Sequence, residues 1–196
     1  MMKAAKQVIR KQIKVELRKM SSFERDKQSR DIVQQLLRHP RYIASKRISV
    51  YLSMVNEVQT NSILEDALQT GKNVFIPKYV GSNMDMVSIH SMEDFKNLPE
   101  TSWHIKQPAD DDFSREDALE SGGLDLIVVP GVAFSKSGGR MGHGKGYYDS
   151  YIEKCCRIKV PYLIGLAYTV QMCEHIPLSD HDQLLDEVLT YKSDTG

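Results

Sequence analysis

The run Leu124–Gly131, LDLIVVPG, is apolar on successive residues rather than on alternate ones. A strand with one wet face alternates in polarity, whereas this one needs cover on both faces. The chain on either side can supply that cover. Segments of β-branched and aromatic residues occur at RISVYLS (47–53), NVFIPKYV (73–80), MDMVSIH (84–90), YLIGLAY (162–168) and DEVLTYK (186–192). Between them lie helical spacings: Ile9, Ile13, Leu17 and Met20; then Ile32, Val33, Leu36 and Leu37; then the stretch 63–68, closed by Gly71. Alternation of this kind predicts a single α/β domain over residues 1–196. Its architecture is three-layer α/β/α, with a mostly parallel Rossmann-like sheet.

Local signals set the boundaries. SSFE (21–24) fits a capping box opening a second helix, which stops near His39-Pro40. A short helix is expected from Ser91, a loop and a helix within DDDFSREDALE (110–120), one through Tyr151 and Cys155, and one over 170–175.

Composition narrows the classes. At 41% hydrophobic residues the chain can bury a core. Lys plus Arg and Asp plus Glu balance at 26 each, which argues against a general nucleic-acid binder. No apolar run reaches membrane-spanning length. The basic N-terminus lacks a secretory apolar core and carries Glu16, so a mature start and a cytoplasmic location are expected. The three cysteines are odd in number and two are adjacent. They read as reduced thiols acting as small buried hydrophobes.

The stretch after the apolar strand, GGRMGHGKGYYD (138–149), combines five glycines with Arg140 and Lys145. Glycines let another group approach the backbone, and free N–H groups at a helix start suit phosphate oxygens. No GK[ST] is present, so it is not a Walker A loop. Its position beyond a buried strand favours phosphate binding over an incidental surface loop. Asp149 follows, either a helix-start residue or a Mg²⁺ ligand. Asp180, Asp182 and Asp186 precede the last strand, and by spacing alone they read as solvated acids slightly more readily than as ligands.

The block VPGVAFSKSGGRMGHGKGYYDSYI (129–152) resembles the signature of the 5-formyltetrahydrofolate cyclo-ligase family, the methenyltetrahydrofolate synthetases. KQVIRKQIKVELRKMS, ISVYLSMVNEVQT, TSWHIKQP and DHDQLLDEVLT extend the resemblance in order along nearly the whole chain. It implies ATP- and Mg²⁺-dependent closure of 5-formyltetrahydrofolate to 5,10-methenyltetrahydrofolate, with ADP and phosphate released. The implied partners are ATP and a polyglutamylated folate, with no nucleic acid or membrane, and the implied state is a monomer.

Residue by residue, the resemblance implies ATP contacts from Lys6, Arg10, Arg140, Met141, Gly142, His143, Gly144, Lys145, Gly146, Tyr147 and Tyr148. Lys145 and Arg140 would be catalytic. Leu52, Glu57, Trp103, His143, Gly144, Lys145, Gly146 and Tyr147 would line the folate site, and Asp149 and Asp182 would hold Mg²⁺. Without the resemblance, Lys6 and Arg10 read as a solvated basic face. His143 departs from the arginine common there, which weakens one phosphate contact. Two other readings stay open: a relative that binds without catalysis, and a different enzyme on this sheet, such as a sugar-phosphate isomerase or CoA transferase.

Overall fold

The structure, a computed structural model, describes residues 2–101 and 105–192. Its main sheet has six strands: β1 (Arg47–Val50), β2 (Asn73–Val80), β3 (Asn83–Ile89), β4 (Leu126–Val129), β7 (Tyr162–Ala167) and β9 (Glu187–Thr190). Their spatial order is β3-β2-β1-β4-β7-β9. All neighbours pair in parallel except β2 and β3, a hairpin turning at Gly81. In β4 all four residues are fully buried, as the unbroken apolar run requires.

From β1 the chain steps outward to β2 and β3. It then returns to β4 and steps the other way, to β7 and β9. Right-handed crossovers therefore put α4 (Asn61–Gln69) and α6 (Tyr147–Cys156) on opposite faces, giving the expected α/β/α layers. The strand order reverses between β1 and β4, and the crevice over their carboxyl ends is the natural ligand site.

Helix α1 (Met2–Lys19) buries Ile13 and Leu17. Ser21 caps α2 (Ser22–Leu37) by accepting a hydrogen bond from Glu24 N at 3.1 Å. The Glu24 carboxylate instead accepts from the Gln28 side chain, so the capping box is half-formed. Pro40 at the first turn seeds an unforeseen short helix, α3 (Pro40–Ala44). Ser91 caps α5 (Met92–Asn97) as expected.

Several expectations are corrected. Residues 110–120 form no helix. Their backbone runs along β3 instead, with Ser88 N donating to Glu116 O and Ala118 N to Met86 O. The stretch 170–175 holds only a 3-10 turn (Thr169–Gln171), and Met172–Cys173 then forms β8. That strand joins β5 (Ala133–Ser135) and β6 (Arg140–Met141) in a small sheet ordered β6-β5-β8, which had no signature because each strand is only two or three residues long. Strands β1 and β9 are shorter than read, because β1 leaves the ladder after Val50 and β9 after Thr190. Cys155 is buried, but Cys156 is exposed, since adjacent helical residues face different ways. Among the described residues no helix is long and apolar enough to cross a membrane.

Candidate functional site

The glycine-rich stretch divides at Gly142. Before it, the chain is interior. Arg140 and Met141 sit in β6, only 4% and 2% exposed. The Arg140 guanidinium donates to Asp149 Oδ1 at 2.8 Å and to Pro130 O at 3.2 Å. It therefore lies beneath the loop and is not displayed on it. Gly138 has φ +84°, and a Cβ there would fall 2.2 Å from Leu185 O. Its lack of a side chain serves the packing of the segment before β9.

From Gly142 the chain emerges. His143, Gly144, Lys145 and Gly146 are exposed, and Gly144 and Gly146 take left-handed φ of 100° and 73°. Gly146 is the N-cap of α6, whose first N–H groups lack helical acceptors. Lys145 makes no hydrogen bond or ion pair with any described residue. Of the expected nucleotide loop, residues 142–147 are accessible, while Tyr148 is buried behind them.

Helix α1 turns Lys6 and Arg10 inward, Arg10 onto this loop and Lys6 onto the segment before β9, so these two are not a solvated face. Arg10 Nε donates to Gly142 O at 2.9 Å. Lys6 Nζ pairs with Asp182 Oδ2 at 2.5 Å, with both side chains mostly buried. Asp182 Oδ2 also accepts from Ser179 N and Oγ. Burial alone would push its carboxyl up, but the bonds from Lys6 and Ser179 outweigh that and hold it below the usual range. Asp149 Oδ1 accepts from Gln183 N at 3.1 Å as well as from Arg140. Both carboxylates thus meet the loop 179–183, and each spends one oxygen on these bonds. Oδ2 of Asp149 and Oδ1 of Asp182 accept nothing from the described residues. Two carboxylates with an oxygen each to spare suit Mg²⁺, which takes one or two carboxylates and fills its shell with phosphate and water.

Across the crevice, Glu57 stands in the turn after β1, its side chain 9% exposed. Met54 N donates to its Oε2 at 2.9 Å, and His143 Nε2 lies 3.7 Å from its Oε1. The glycine-rich loop and the Glu57 carboxylate therefore face each other. Leu52 lines a cavity of about 200 Å³ with Gln59, Asn61, Phe95, Ile105 and Lys106. Trp103 lies outside the described residues. Tyr147 packs against Tyr79, ring centroids 5.1 Å apart, and donates to Gly81 O. Burial, with the nearby charge of Glu57, pushes the Tyr79 phenol up to about 12.

Reading along the sequence missed Tyr79 and Gln107. Gln107 is buried and bonds both the N and the O of Tyr79 at 3.1 Å, tying the segment after α5 to β2. Tyr79 lies near the end of β2, at the sheet's carboxyl edge, and Gln107 lies within TSWHIKQP, so each carried a signal, but nothing local announces that the two meet.

The sheet order, the switch-point crevice and the loop emerging at Gly142 define a doubly wound α/β protein, a class whose ligands bind over the carboxyl ends of the strands. The sequence profile of the 5-formyltetrahydrofolate cyclo-ligase family matches residues 2–191, and the chain belongs to that family. It is 46% identical to 5-formyltetrahydrofolate cyclo-ligase of Mus musculus, over 95% of this chain and 93% of that one. It is 42% identical to a probable 5-formyltetrahydrofolate cyclo-ligase of Caenorhabditis elegans, over 98% and 95%. The structure of 5,10-methenyltetrahydrofolate synthetase from Aquifex aeolicus matches with a TM-score of 0.76 at 26% identity, over 97% of this chain and 94% of that one.

Proposed function

We propose that the protein closes 5-formyltetrahydrofolate to 5,10-methenyltetrahydrofolate, consuming ATP with Mg²⁺ and releasing ADP and phosphate. The observation that carries this reading is the approach of His143, on an accessible glycine loop, to Glu57, on the folate-side turn, at 3.7 Å. That spacing supports a γ-phosphoryl group and a formyl group meeting in one crevice.

The formyl oxygen on N5 is a poor leaving group. Its attack on the γ-phosphorus breaks the bond to ADP and makes the oxygen part of a phosphate ester. N10 then attacks the formyl carbon, the phosphate leaves with the former formyl oxygen, and N10 loses its proton. Phosphoryl transfer needs positioning and charge neutralisation above all. The N–H groups at the start of α6 and the mobile charge of Lys145 serve the terminal phosphate. Arg10 holds the loop through Gly142 O and, with Lys6, brings positive charge to its far side. Arg140 acts from beneath, fixing Asp149. When bound, Mg²⁺ at Asp149 and Asp182 would neutralise phosphate charge. The Glu57 carboxylate suits the paired N–H donors of an amino-pyrimidine edge, and the apolar wall at Leu52 suits the flat ring beside it. A polyglutamylated folate, a monomeric state and a cytoplasmic location complete the reading.

The test is to mix the purified protein with 5-formyltetrahydrofolate and Mg-ATP and to follow the near-ultraviolet absorbance of methenyltetrahydrofolate. Product is expected only with ATP. No product, or product without ATP, overturns the reading.

A further inference from the structure

After Val50, β1 leaves its ladder, so the turn carrying Glu57 has no strand to satisfy its backbone. Buried peptide groups nonetheless need partners. Tyr168, fully buried at the end of β7, donates its phenolic hydrogen to Glu57 O at 2.8 Å. A carbonyl can only accept, so the phenol's own acceptor position faces Ser29 Oγ on α2, 3.0 Å away. Ser29 must then donate to Tyr168, and its remaining lone pair receives Gln59 N–H at 3.2 Å. The hydrogen bonds therefore run in one direction, from Gln59 N–H through Ser29 and Tyr168 to Glu57 O. They begin and end in the same turn.

The root of this clamp is itself held. Tyr168 N donates to Gln171 Oε1 at 2.9 Å, and Gln171 Nε2 donates to Gly131 O at 2.9 Å, at the base of the segment that leads to the nucleotide loop. The corner Tyr168–Gln171 thus touches the backbone of both halves of the crevice.

We infer that Tyr168, with Ser29 behind it, is a positioning residue that sets where the Glu57 carboxylate meets the folate. This rests on the reading of Glu57 as the folate contact. The phenol lies too deep to touch a ligand itself, so it acts only through the turn.

The test compares steady-state kinetics of wild type, Tyr168→Phe, Glu57→Gln and the double variant, with thermal melts to establish folding. Tyr168→Phe is expected to raise the KM for 5-formyltetrahydrofolate about fivefold, the effect of one lost buried hydrogen bond, with the KM for ATP and kcat nearly unchanged. The double variant is expected to be no worse than Glu57→Gln alone, because the two losses act through one contact. If Glu57→Gln raises the folate KM while Tyr168→Phe leaves it unchanged, or the two losses multiply, the inference is overturned. If Glu57→Gln itself leaves the folate KM unchanged, the reading beneath it fails instead, and the inference with it. Should Tyr168→Phe not fold, Ser29→Ala is read by the same criteria, with a smaller expected rise.

Discussion

The Arg140 guanidinium, 3% exposed, donates to Asp149 Oδ1 at 2.8 Å and so fixes the start of α6 to β6. The two cations of the glycine stretch consequently have different duties, since Lys145 is exposed and held by no described residue. Arg140→Met would leave a carboxylate without its partner and is expected to cost about 2–3 kcal/mol of stability by urea unfolding.

Lys145→Ala should leave that stability within about 0.5 kcal/mol. Its turnover, followed by methenyltetrahydrofolate absorbance, should fall to background. Unchanged turnover would remove Lys145 from the site.

The glycines divide in the same way. Gly138→Ala drives a Cβ against Leu185 O at a φ of +84°, and a cost of about 3 kcal/mol or more is expected. Gly146→Ala meets open space at φ +73° and should cost about 1 kcal/mol. Denaturant midpoints of the two variants check the ranking.

The depressed Asp182 carboxyl makes part of the stability depend on acid. That part is fully present above the unfolded value, about 3.9, and fades as pH falls through the lower folded value. Lys6→Met removes the first hydrogen bond that holds the group down. Wild type should therefore be the more stable at pH 6, with the two converging once the pH has fallen through that depressed folded value and both have lost the carboxylate's charge. Urea midpoints across that range would show it, and a constant gap would exclude the pair as the cause.

His143 is 61% exposed at the tip of the loop. His143→Arg supplies a permanent charge and a planar fork there. It is expected to lower the KM for ATP about threefold while leaving thermal stability unchanged. An unaltered KM would mean that the tip does not meet the nucleotide.

Much of the fold was legible along the chain because its signals are local. The unbroken run of β4, the Ser21 and Ser91 caps and the Gly71 stop each depend on a few adjacent residues. Element type and sheet class followed from them. The resemblance in residues 129–152 pointed to the family through side-chain identity alone.

What tertiary structure decided are the pairings between distant segments. Nothing near Lys6 announces Asp182, and nothing near Glu57 announces Tyr168 or Ser29. Arg140 and Lys145 sit five residues apart in one polar stretch. Only the pairing of β6 with β5 buries the first and leaves the second in the crevice. Short-range preferences specify where a strand or helix forms. Which charge is enclosed and which is offered to a ligand depends on contacts between residues far apart in the chain, and these exist only once the sheet has closed around its switch point.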